Sequence, residues 1–371
     1  MTTTTAEPRV SATWYDDVDQ APPDTLEALH PSRTRAWAGA WQHVRTEQVL
    51  AHRHVHLHDP DRGIGETVSF HLVPGRGSPY WSRLETDAGS PPVWPGPVLY
   101  AGSPHAEYGG AGTATAALAA ATTTAGLHLA QSLGARAVVH PGLTPGQAAA
   151  LTAAAPAGVT ALDLGTDVAF TRPLGADAER WWAGIPQKYR SDARRTWRRG
   201  TDAGLTLAPY TGAVTLPHLP YFTELANSTA DRHGTRLYGP EMFEHLTDVP
   251  GAVLLAARDG DRLVGGFYGW LHRRCLYLWA CGIDYRHPAA HRVYKWLLAE
   301  SALWAIDRGA HTLDLGRANY AAKLRVGCRP QPLRTVVFLP RPEPATVTAL
   351  SDLARRLGEQ ALPHLPPGTP W

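Results

Sequence analysis

The 371-residue sequence lacks the features that mark membrane-spanning, disulfide-rich and zinc-binding proteins. Its only cysteines, Cys275, Cys281 and Cys328, form neither a CxxC pair nor the spacing of a structural zinc site. It has no run of about 18 apolar residues, the length that spans a bilayer. Its formal net charge is only +2. We therefore expect a soluble globular protein with no membrane span and no disulfide framework.

Common catalytic motifs are missing as well. The sequence has no GxSxG nucleophile elbow, no P-loop and no CxxC redox pair, which argues against a serine hydrolase, a P-loop nucleotide hydrolase and a thioredoxin-like protein. The N-terminal residues MTTTTAEPRV lack the basic start and apolar core of a secretory signal. A cytoplasmic location is therefore the prediction.

Alternating histidines are the nearest approach to a metal-binding pattern. They are His52, His54, His56 and His58. On a strand they share one face, but neighbours on that face lie about 7 Å apart, too far for several to bind one ion. We predict a half-exposed strand here and no metal site.

The most distinctive segment that is present runs from residue 188 to 199, KYRSDARRTWRR. Six of its twelve residues are basic and one is acidic, so it carries +5 and the remainder of the chain is net acidic. It contains no Pro or Gly, which predicts a helix, and like charges four residues apart then repel unless an anion lies between them. A solvated helix face is the alternative. The predicted phosphate-binding residues of this helix are Lys188, Arg190, Arg194, Arg195 and Arg198.

The order of elements suggests a duplicated chain. In the second half, two strands joined by the turn Asp259-Gly260-Asp261 are followed by a third strand, a helix and a fourth strand. The predicted ranges are 252–258, 262–272, 275–284, 289–308 and 312–316. The first half repeats this layout loosely, with strands from Arg53, Glu66 and Pro97, an Ala-rich helix after Gly112, and a strand from Arg136.

This layout predicts an α/β (α+β) protein of two like domains, each a mixed, mostly antiparallel sheet flanked by helices. The predicted domains cover residues 13–173 and 174–371 and follow a flexible tail at residues 1–12.

Four segments of the second half carry a resemblance to a known fold: LVGGFYGW, LYLWACGIDYR, WAIDRGAHTLDLGR and AKLRVG. The chain resembles tandem GNAT-fold proteins, and more narrowly the Fem-type amino-acid transferases, whose second domain starts with an Arg-rich helix. The resemblance covers residues 170–330 well; in the first half only GPVLYAGSPHAEYGGAG shares it. It implies transfer of an acyl group, usually an amino acid carried on tRNA, to an amine. Some relatives use acyl-CoA instead.

The turns that hold CoA in this fold are altered. Acetyl-CoA enzymes hold the pyrophosphate at a Q/RxxGxG/A turn before a helix. Residues 284–290 occupy that place in the second half, have no glycine and contain Pro288, which argues against a standard CoA site. The first-half turn, residues 108–112, has three glycines that either cradle a phosphate or make a tight corner. Glu107 and Tyr108 beside it are predicted to line the cleft and bind substrate.

Two carboxylates are candidate bases. Glu300 falls within the apolar stripe of the predicted helix 289–308, so it is either in a structural ion pair or a base for the ammonium nucleophile. Asp314 ends the following strand and is the second candidate, for the proton or for orienting Lys323 or the amine.

The segment DLGRANYAAKLRVG follows that strand. Fem-type proteins have a basic residue at the catalytic centre in a similar K-x-R/F-x-G element, so the resemblance implies that Lys323 steadies the tetrahedral oxyanion. Surface cations without a catalytic role are the alternative. Arg317 and Arg325 are predicted to bind donor phosphates, and Asn319 and Tyr320 to position the substrate.

Together these features predict an aminoacyltransferase that forms an amide, with aminoacyl-tRNA as donor, no cofactor of its own, and a small-molecule or peptide amine as acceptor. A natural-product or cell-wall precursor is the expected acceptor. The alternatives are an acyl-CoA-dependent N-acyltransferase and a non-catalytic GNAT-fold protein that binds RNA or another anion.

Overall fold

The structure is a computed structural model, and it describes residues 10–44, 48–75, 79–103, 105–233, 238–239, 241–369 and 371. The strands are β1 (Ser11–Tyr15), β2 (Ala51–Asp59), β3 (Ile64–Val73), β4 (Val98–Ala101), β5 (Val138–Leu143), β6 (Thr160–Pro173), β7 (Leu205–Thr211), β8 (Ala252–Asp259), β9 (Arg262–His272), β10 (Cys275–Ile283), β11 (Thr312–Asp314) and β12 (Arg329–Leu339). The helices are α1 (Arg35–His43), α2 (Pro79–Asp87), α3 (Ala116–Ser132), α4 (Pro145–Ala153), α5 (Ala178–Ala183), α6 (Gln187–Asp202), α7 (Leu219–His233), α8 (Met242–Leu246), α9 (Ala290–Asp307), α10 (Tyr320–Arg325) and α11 (Pro344–Ala361). Of the predicted tail at residues 1–12, residues 1–9 lie outside the described residues.

One 12-stranded sheet runs through the molecule in the order β1-β2-β3-β4-β5-β12-β6-β11-β10-β9-β8-β7. Its neighbours are antiparallel except for two parallel pairs, β4 with β5 and β10 with β11. Each parallel pair closes the same unit: three antiparallel strands, a helix, and a strand that returns beside the third. This confirms the predicted mixed, mostly antiparallel sheet flanked by helices and the repeated order of elements.

Strands β6 and β12 join the two halves. β12, from the end of the chain, lies between β5 and β6, while β6 pairs on its other edge with β11. Each half of the sheet therefore ends on a strand from the other half of the chain. The predicted boundary at residues 173 and 174 falls at the end of β6, where the sheet is continuous.

Helices cover both faces of the second half. The basic segment forms α6, as predicted, and α6 packs on α9 so closely that a Cβ atom at Gly200 would lie 2.4 Å from Trp296 Cδ1. Helices α1, α7 and α8 cover the opposite face around Trp37, Phe222 and Phe243. In the first half, α3 and α4 cover one face and α2 and α11 the other. The edge between β10 and β11 is therefore enclosed from both sides.

Among the described residues, no helix has both the length and the hydrophobicity that a bilayer crossing requires.

Candidate active site

The parallel strands β10 and β11 separate after a short pairing. Their last paired residues are Tyr277 and Asp314. Beyond this point the chain after β11 bonds to β6 instead, since Phe170 N donates to Gly316 O at 3.0 Å. We call the point of separation the β10–β11 fork. It places the Asp314 side chain inside the molecule, with 4% of its surface exposed.

Asp314 is held by two hydrogen bonds. Tyr108 Oη, from the first half of the chain, donates to Asp314 Oδ2 at 2.5 Å, and Gly316 N donates to Oδ1 at 2.7 Å. Burial raises the pKa of Asp314 to about 6, while these bonds oppose the rise. The pKa of Tyr108 lies well above its ordinary value because the ring is buried and beside Asp314. Asp314 therefore changes charge near neutral pH.

Glu107 brings a second carboxylate to the fork. Its Oε2 lies 2.7 Å from Arg317 Nε, and Arg317 Nε lies 3.7 Å from Asp167 Oδ2. Asp167 is in turn bonded by Arg83 at 2.5 Å. Negative and positive side chains thus alternate in the order Glu107, Arg317, Asp167 and Arg83. Arg317 therefore compensates the charge of Glu107.

Lys323 anchors the loop that follows the fork. It lies on α10, is 4% exposed, and its Nζ donates to Gly316 O at 2.8 Å and to Arg317 O. Burial lowers the pKa of Lys323 to about 8. Ala318 and Asn319 in the same loop have left-handed backbones, at φ 62° and 51°. Such positions cost about 1–3 kcal/mol each, and bonds like those of Lys323 hold them in place.

An aromatic crevice opens from the fork toward α1. Its aromatic walls are His30, Trp37, Trp270, Tyr277 and Trp279, and its carboxylates are Glu107 and Asp314. The chain at residues 29–32 roofs it: Tyr277 Oη donates to Leu29 O, and Ser32 Oγ donates to Tyr108 O at 2.8 Å.

These aromatic residues were not predicted from the sequence. Alternation of Tyr277 and Trp279 on a predicted strand is a signal that both share a face. His30 and Trp37 lie between β1 and β2, and no pattern links them to the fork.

A second opening, the helix cleft, lies between α6, α9 and α10. It has a volume of about 180 Å³ and is mostly apolar. Its lining residues include Trp182, Tyr189, Tyr294, Leu298 and Val326, with Asp192, Lys295 and Arg325 as the charged members. Arg325 thus lies beside α6, with its guanidinium 5.9 Å from the Tyr189 ring centre.

The basic residues of α6 divide into two groups. Arg190 donates to the carbonyls of Ala183 and Ile185, and the Arg194 guanidinium lies 5.6 Å from the Trp182 ring centre, so both contact α5 and its end. Lys188, Arg195 and Arg198 are exposed. Arg195 also bonds Asp192 at 2.6 Å.

Three other predicted site residues lie away from the fork cluster. Glu300 is half-buried between α6 and α9 and accepts a hydrogen bond from Trp197 Nε1 at 2.6 Å. Asn319 and Tyr320 line a separate groove of about 510 Å³ with Asp87 and Asp167. The residues that the structure brings together are Glu107, Tyr108, Asp314, Arg317 and Lys323.

The turn before α9 satisfies its own backbone donors. Arg286 N donates to Asp284 Oδ1 at 3.0 Å, His287 N to Asp284 O, and Ala290 N to His287 O. Ala289 N donates to His287 Nδ1. A pyrophosphate would have to displace these bonds and approach the Asp284 carboxylate.

The glycine-rich turn of the first half is closely packed. Gly109 N donates to Gly142 O at 2.9 Å, and a Cβ atom on Gly109 would lie 2.2 Å from Pro141 O. A Cβ atom on Gly112 would lie 2.0 Å from Thr122 Oγ1. These contacts explain the glycines as a tight corner.

The alternating histidines are used within β2 and its neighbour. His54 Nδ1 bonds Ser69 at 2.8 Å and His56 Nδ1 bonds Thr67 at 3.1 Å. Both histidines are buried, so the prediction of a half-exposed strand is wrong: α3 covers the opposite face at Val55 and Leu57, and the N-terminal segment lies on the histidine face, with Asp24 Oδ1 3.9 Å from His56 Nδ1. Within the described ranges, no three His, Cys, Asp or Glu side chains group as metal ligands would.

Comparison with known proteins agrees with this architecture. Residues 187–324 match the family model described as acetyltransferase (GNAT) domain. The fold is similar to FemX, with a TM-score of 0.55 and 12% identity over 85% of this chain and 93% of that one. It is also similar to a conserved protein of unknown function from Bacteroides thetaiotaomicron VPI-5482, with a TM-score of 0.52 and 12% identity over 82% and 89%. L-PGS from Bacillus licheniformis scores 0.50 at 11% identity over 77% and 86%.

Residues 187–324 therefore match a GNAT domain, and the chain has a Fem-like GNAT fold, which confirms the resemblance stated from the sequence. At these identities the solved structures establish the fold alone. A comparison with curated proteins finds no significant match.

Proposed function

We propose that this protein transfers an aminoacyl group from aminoacyl-tRNA to an amine and so forms an amide bond. The observation that carries the proposal is the position of Asp314. This buried carboxylate, with a pKa raised to about 6, lies at the β10–β11 fork beside the aromatic crevice, and helices α9 and α10 flank the other face of the sheet. A proton acceptor at the fork suits attack by an amine on an activated carbonyl.

The turn before α9 and the helix cleft both favour an RNA donor over a CoA donor. The turn before α9 bonds its own N–H groups, which leaves a pyrophosphate few backbone donors. The helix cleft is instead walled by aromatic rings, with the cations Lys295 and Arg325 in its lining and Lys188 Nζ 4.8 Å from the Tyr189 ring centre. Aromatic rings stack on unpaired bases and cations bind the phosphates between them, the combination that a single-stranded acceptor end of tRNA requires.

The proposed reaction is an aminolysis of an ester. Asp314 takes one proton from the substrate ammonium and later returns it to water. The freed nitrogen lone pair attacks the ester carbonyl carbon, and the new C–N bond leaves a tetrahedral oxyanion. Collapse of this intermediate breaks the C–O bond, and the second nitrogen proton ends on the leaving ribose oxygen. No further cofactor is needed for this balance.

We propose that Lys323 stabilises the oxyanion. An ammonium has three N–H donors, and the carbonyls of Gly316 and Arg317 use two of them. The third is the proposed oxyanion donor, and the two carbonyl bonds fix its direction. Tyr108 and Gly316 N orient the Asp314 carboxylate in the same way.

The test supplies each donor separately to the purified protein. One reaction contains total charged tRNA, a matched one contains the same tRNA after mild alkaline deacylation, and a third contains acetyl-CoA. Each receives the same mixture of primary amines, and products are identified by mass spectrometry. We expect an amide only with charged tRNA.

Other outcomes select the alternatives. Product from acetyl-CoA without tRNA would identify an acyl-CoA-dependent N-acyltransferase, to which the acetyltransferase family match also points. Binding of tRNA that weakens steeply with salt, without any amide from either donor, would identify a non-catalytic RNA-binding protein.

A further inference from the structure

The aromatic crevice contains polar groups that no protein contact satisfies. Trp37 and Trp270 line it, are 3% and 2% exposed, and neither indole Nε1 has a hydrogen-bond partner among the described residues. A buried N–H without an acceptor costs about 1–3 kcal/mol. Two such donors on the wall of one opening indicate that a ligand oxygen belongs there.

At the fork end of the crevice, the group that lacks a partner is a carboxylate. Asp314 takes part in no ion pair among the described residues, whereas Glu107 is paired with Arg317. Asp314 accepts bonds from Tyr108 and Gly316, and the Lys323 ammonium points to main-chain carbonyls. A cation entering from the crevice would compensate the Asp314 charge.

The aromatic rings that line the crevice can also bind a cation. The rings of His30, Tyr108 and Tyr277 stand together, with centroid distances of 3.8 and 4.5 Å from His30 to the other two. Burial, with Arg33 nearby, lowers the pKa of His30 to about 3, so this imidazole is neutral and does not repel a cation. An ammonium against aromatic faces gains about 0.5–2 kcal/mol.

We propose that the aromatic crevice binds a compound that carries a primary ammonium group next to a carbonyl or carboxylate oxygen, as an amino acid or an amino-acid amide does. The ammonium contacts Asp314, and the oxygen accepts from the indole of Trp37, which lines both the crevice and the chamber next to it. The inference rests on the proposed function for the role of this compound as acceptor.

Space for the remainder of the compound exists next to the crevice. An adjoining chamber of about 40 Å³ shares Ser32 and Trp37 with it and is lined by Arg33, Arg35 and Asp24. The crevice itself measures about 20 Å³, enough for one group the size of a water molecule. Only the ammonium end therefore enters the crevice fully, and the oxygen lies toward the shared Trp37.

The test measures binding without any donor, so it is independent of whether transfer occurs. Three small probes are titrated by ligand-observed NMR: glycinamide has both groups, ethylamine only the ammonium, and acetamide only the carbonyl. We expect glycinamide to bind at least tenfold more tightly than either partial probe. Equal binding of glycinamide and acetamide, or no binding of glycinamide, would overturn the proposal.

Matched variants assign the two contacts. Asp314→Asn keeps the side-chain shape and is expected to reduce glycinamide binding to the level of acetamide. Trp37→Phe removes one N–H and is expected to weaken glycinamide about fivefold, the value of one hydrogen bond, while ethylamine binding is unchanged. Trp81→Phe is the control, because Trp81 is also buried with an unpartnered Nε1 but packs in the first-half core.

Thermal unfolding of each variant verifies that it is folded. Unchanged glycinamide binding by folded Asp314→Asn, or an equal loss in Trp81→Phe, would contradict the assignment. If glycinamide binds as expected but no donor yields an amide, the ligand class stands and the proposed transfer falls.

Discussion

The two halves of the sheet have the same order of elements but differ where their parallel strands separate. In the first half the pairing of β4 and β5 ends at Tyr100 and Val139, and in the second half that of β10 and β11 ends at Tyr277 and Asp314. Val139 is fully buried in an apolar cluster, whereas Asp314 is a buried carboxylate beside a crevice. One topology therefore gives a packed core in one half and a titratable site in the other, which places function in the residues and not in the fold.

The halves also differ in the side chains that they contribute to the fork. The parallel pair of the first half ends on Val139 and not on an acid, yet the turn at Glu107 and Tyr108 supplies two side chains to the fork of the second half. The close packing of Gly109 and Gly112 fixes the chain directly after these two residues. The glycines are thus structural support for a site in the other half.

The largest effect on stability is expected when an aspartate replaces Val139, the first-half residue that corresponds to Asp314. Val139→Asp places a charge at a fully buried position that offers no crevice, and such an uncompensated charge costs about 3–5 kcal/mol. Val139→Asn is the uncharged control and is expected to cost less. Urea unfolding at pH 8 measures both. Equal stability of the two variants would show that a buried charge at Val139 is tolerated as well as an uncharged polar group, and would contradict the difference between the two halves.

The role of the first-half turn is tested by Gly109→Ala. The added Cβ would meet Pro141 O at 2.2 Å, and the required backbone shift is expected to cost about 1–3 kcal/mol. Gly146→Ala is the matched control, since that helical glycine has no atom within 4 Å of an added Cβ and alanine stabilises a helix by about 0.5–1 kcal/mol. Opposite signs of the two changes in unfolding free energy are expected. A Gly109→Ala variant with unchanged stability would show that the turn does not depend on this close packing.

Asp314 is expected to lower the stability of the protein above neutral pH. Its folded pKa, about 6, exceeds its ordinary value of 3.8, so its contribution to stability is fully present below pH 3.8 and is lost as pH rises through 6. Asp314→Asn should therefore be more stable than the natural protein at pH 8, by about 1–3 kcal/mol, and this advantage should disappear near pH 4. Thermal unfolding across this pH range measures the difference. A variant less stable at pH 8 would contradict the raised pKa.

The two groups of basic residues on α6 should separate stability from RNA binding. Arg190→Ala loses bonds to two carbonyls and is expected to cost about 1–2 kcal/mol of stability. Arg198→Ala alters an exposed cation and should leave stability unchanged while lowering the salt slope of tRNA binding by about one. Filter binding at several salt concentrations and thermal unfolding give the two readouts. Reversed effects would exchange the roles of these residues.

Local patterns were sufficient for most elements of the fold. The turn Asp259-Gly260-Asp261 lies between two apolar alternating runs, and β8 and β9 form there as predicted. The uninterrupted segment after Pro186 forms α6, because neither Pro nor Gly breaks its first three turns. The insertion of β12 between β5 and β6 had no such signal, since it depends on pairing between residues about 170 positions apart, as in Arg334 with Gly165.

The candidate site was predictable only in part. Asp314 and Lys323 follow a predicted strand, and their neighbourhood was expected from chain position alone. The bond between Tyr108 and Asp314 joins residues 206 positions apart, and the contributions of His30 and Trp37 depend on how the N-terminal segment crosses both halves. Such contacts arise from tertiary packing, which the periodicity of one segment does not encode.

A comparison of two carboxylate variants tests the central claim most directly. The sequence offered both Asp314 and Glu300 as the base, but only Asp314 lies at the fork, while Glu300 bonds Trp197 between α6 and α9. The measurement is the rate of amide formation from charged tRNA by Asp314→Asn and Glu300→Gln. We expect Asp314→Asn to lose about 10²–10⁴-fold in rate, as removal of a general base does, and Glu300→Gln to stay within threefold of the natural protein. Retained activity in folded Asp314→Asn, or the large loss in Glu300→Gln instead, would contradict the account.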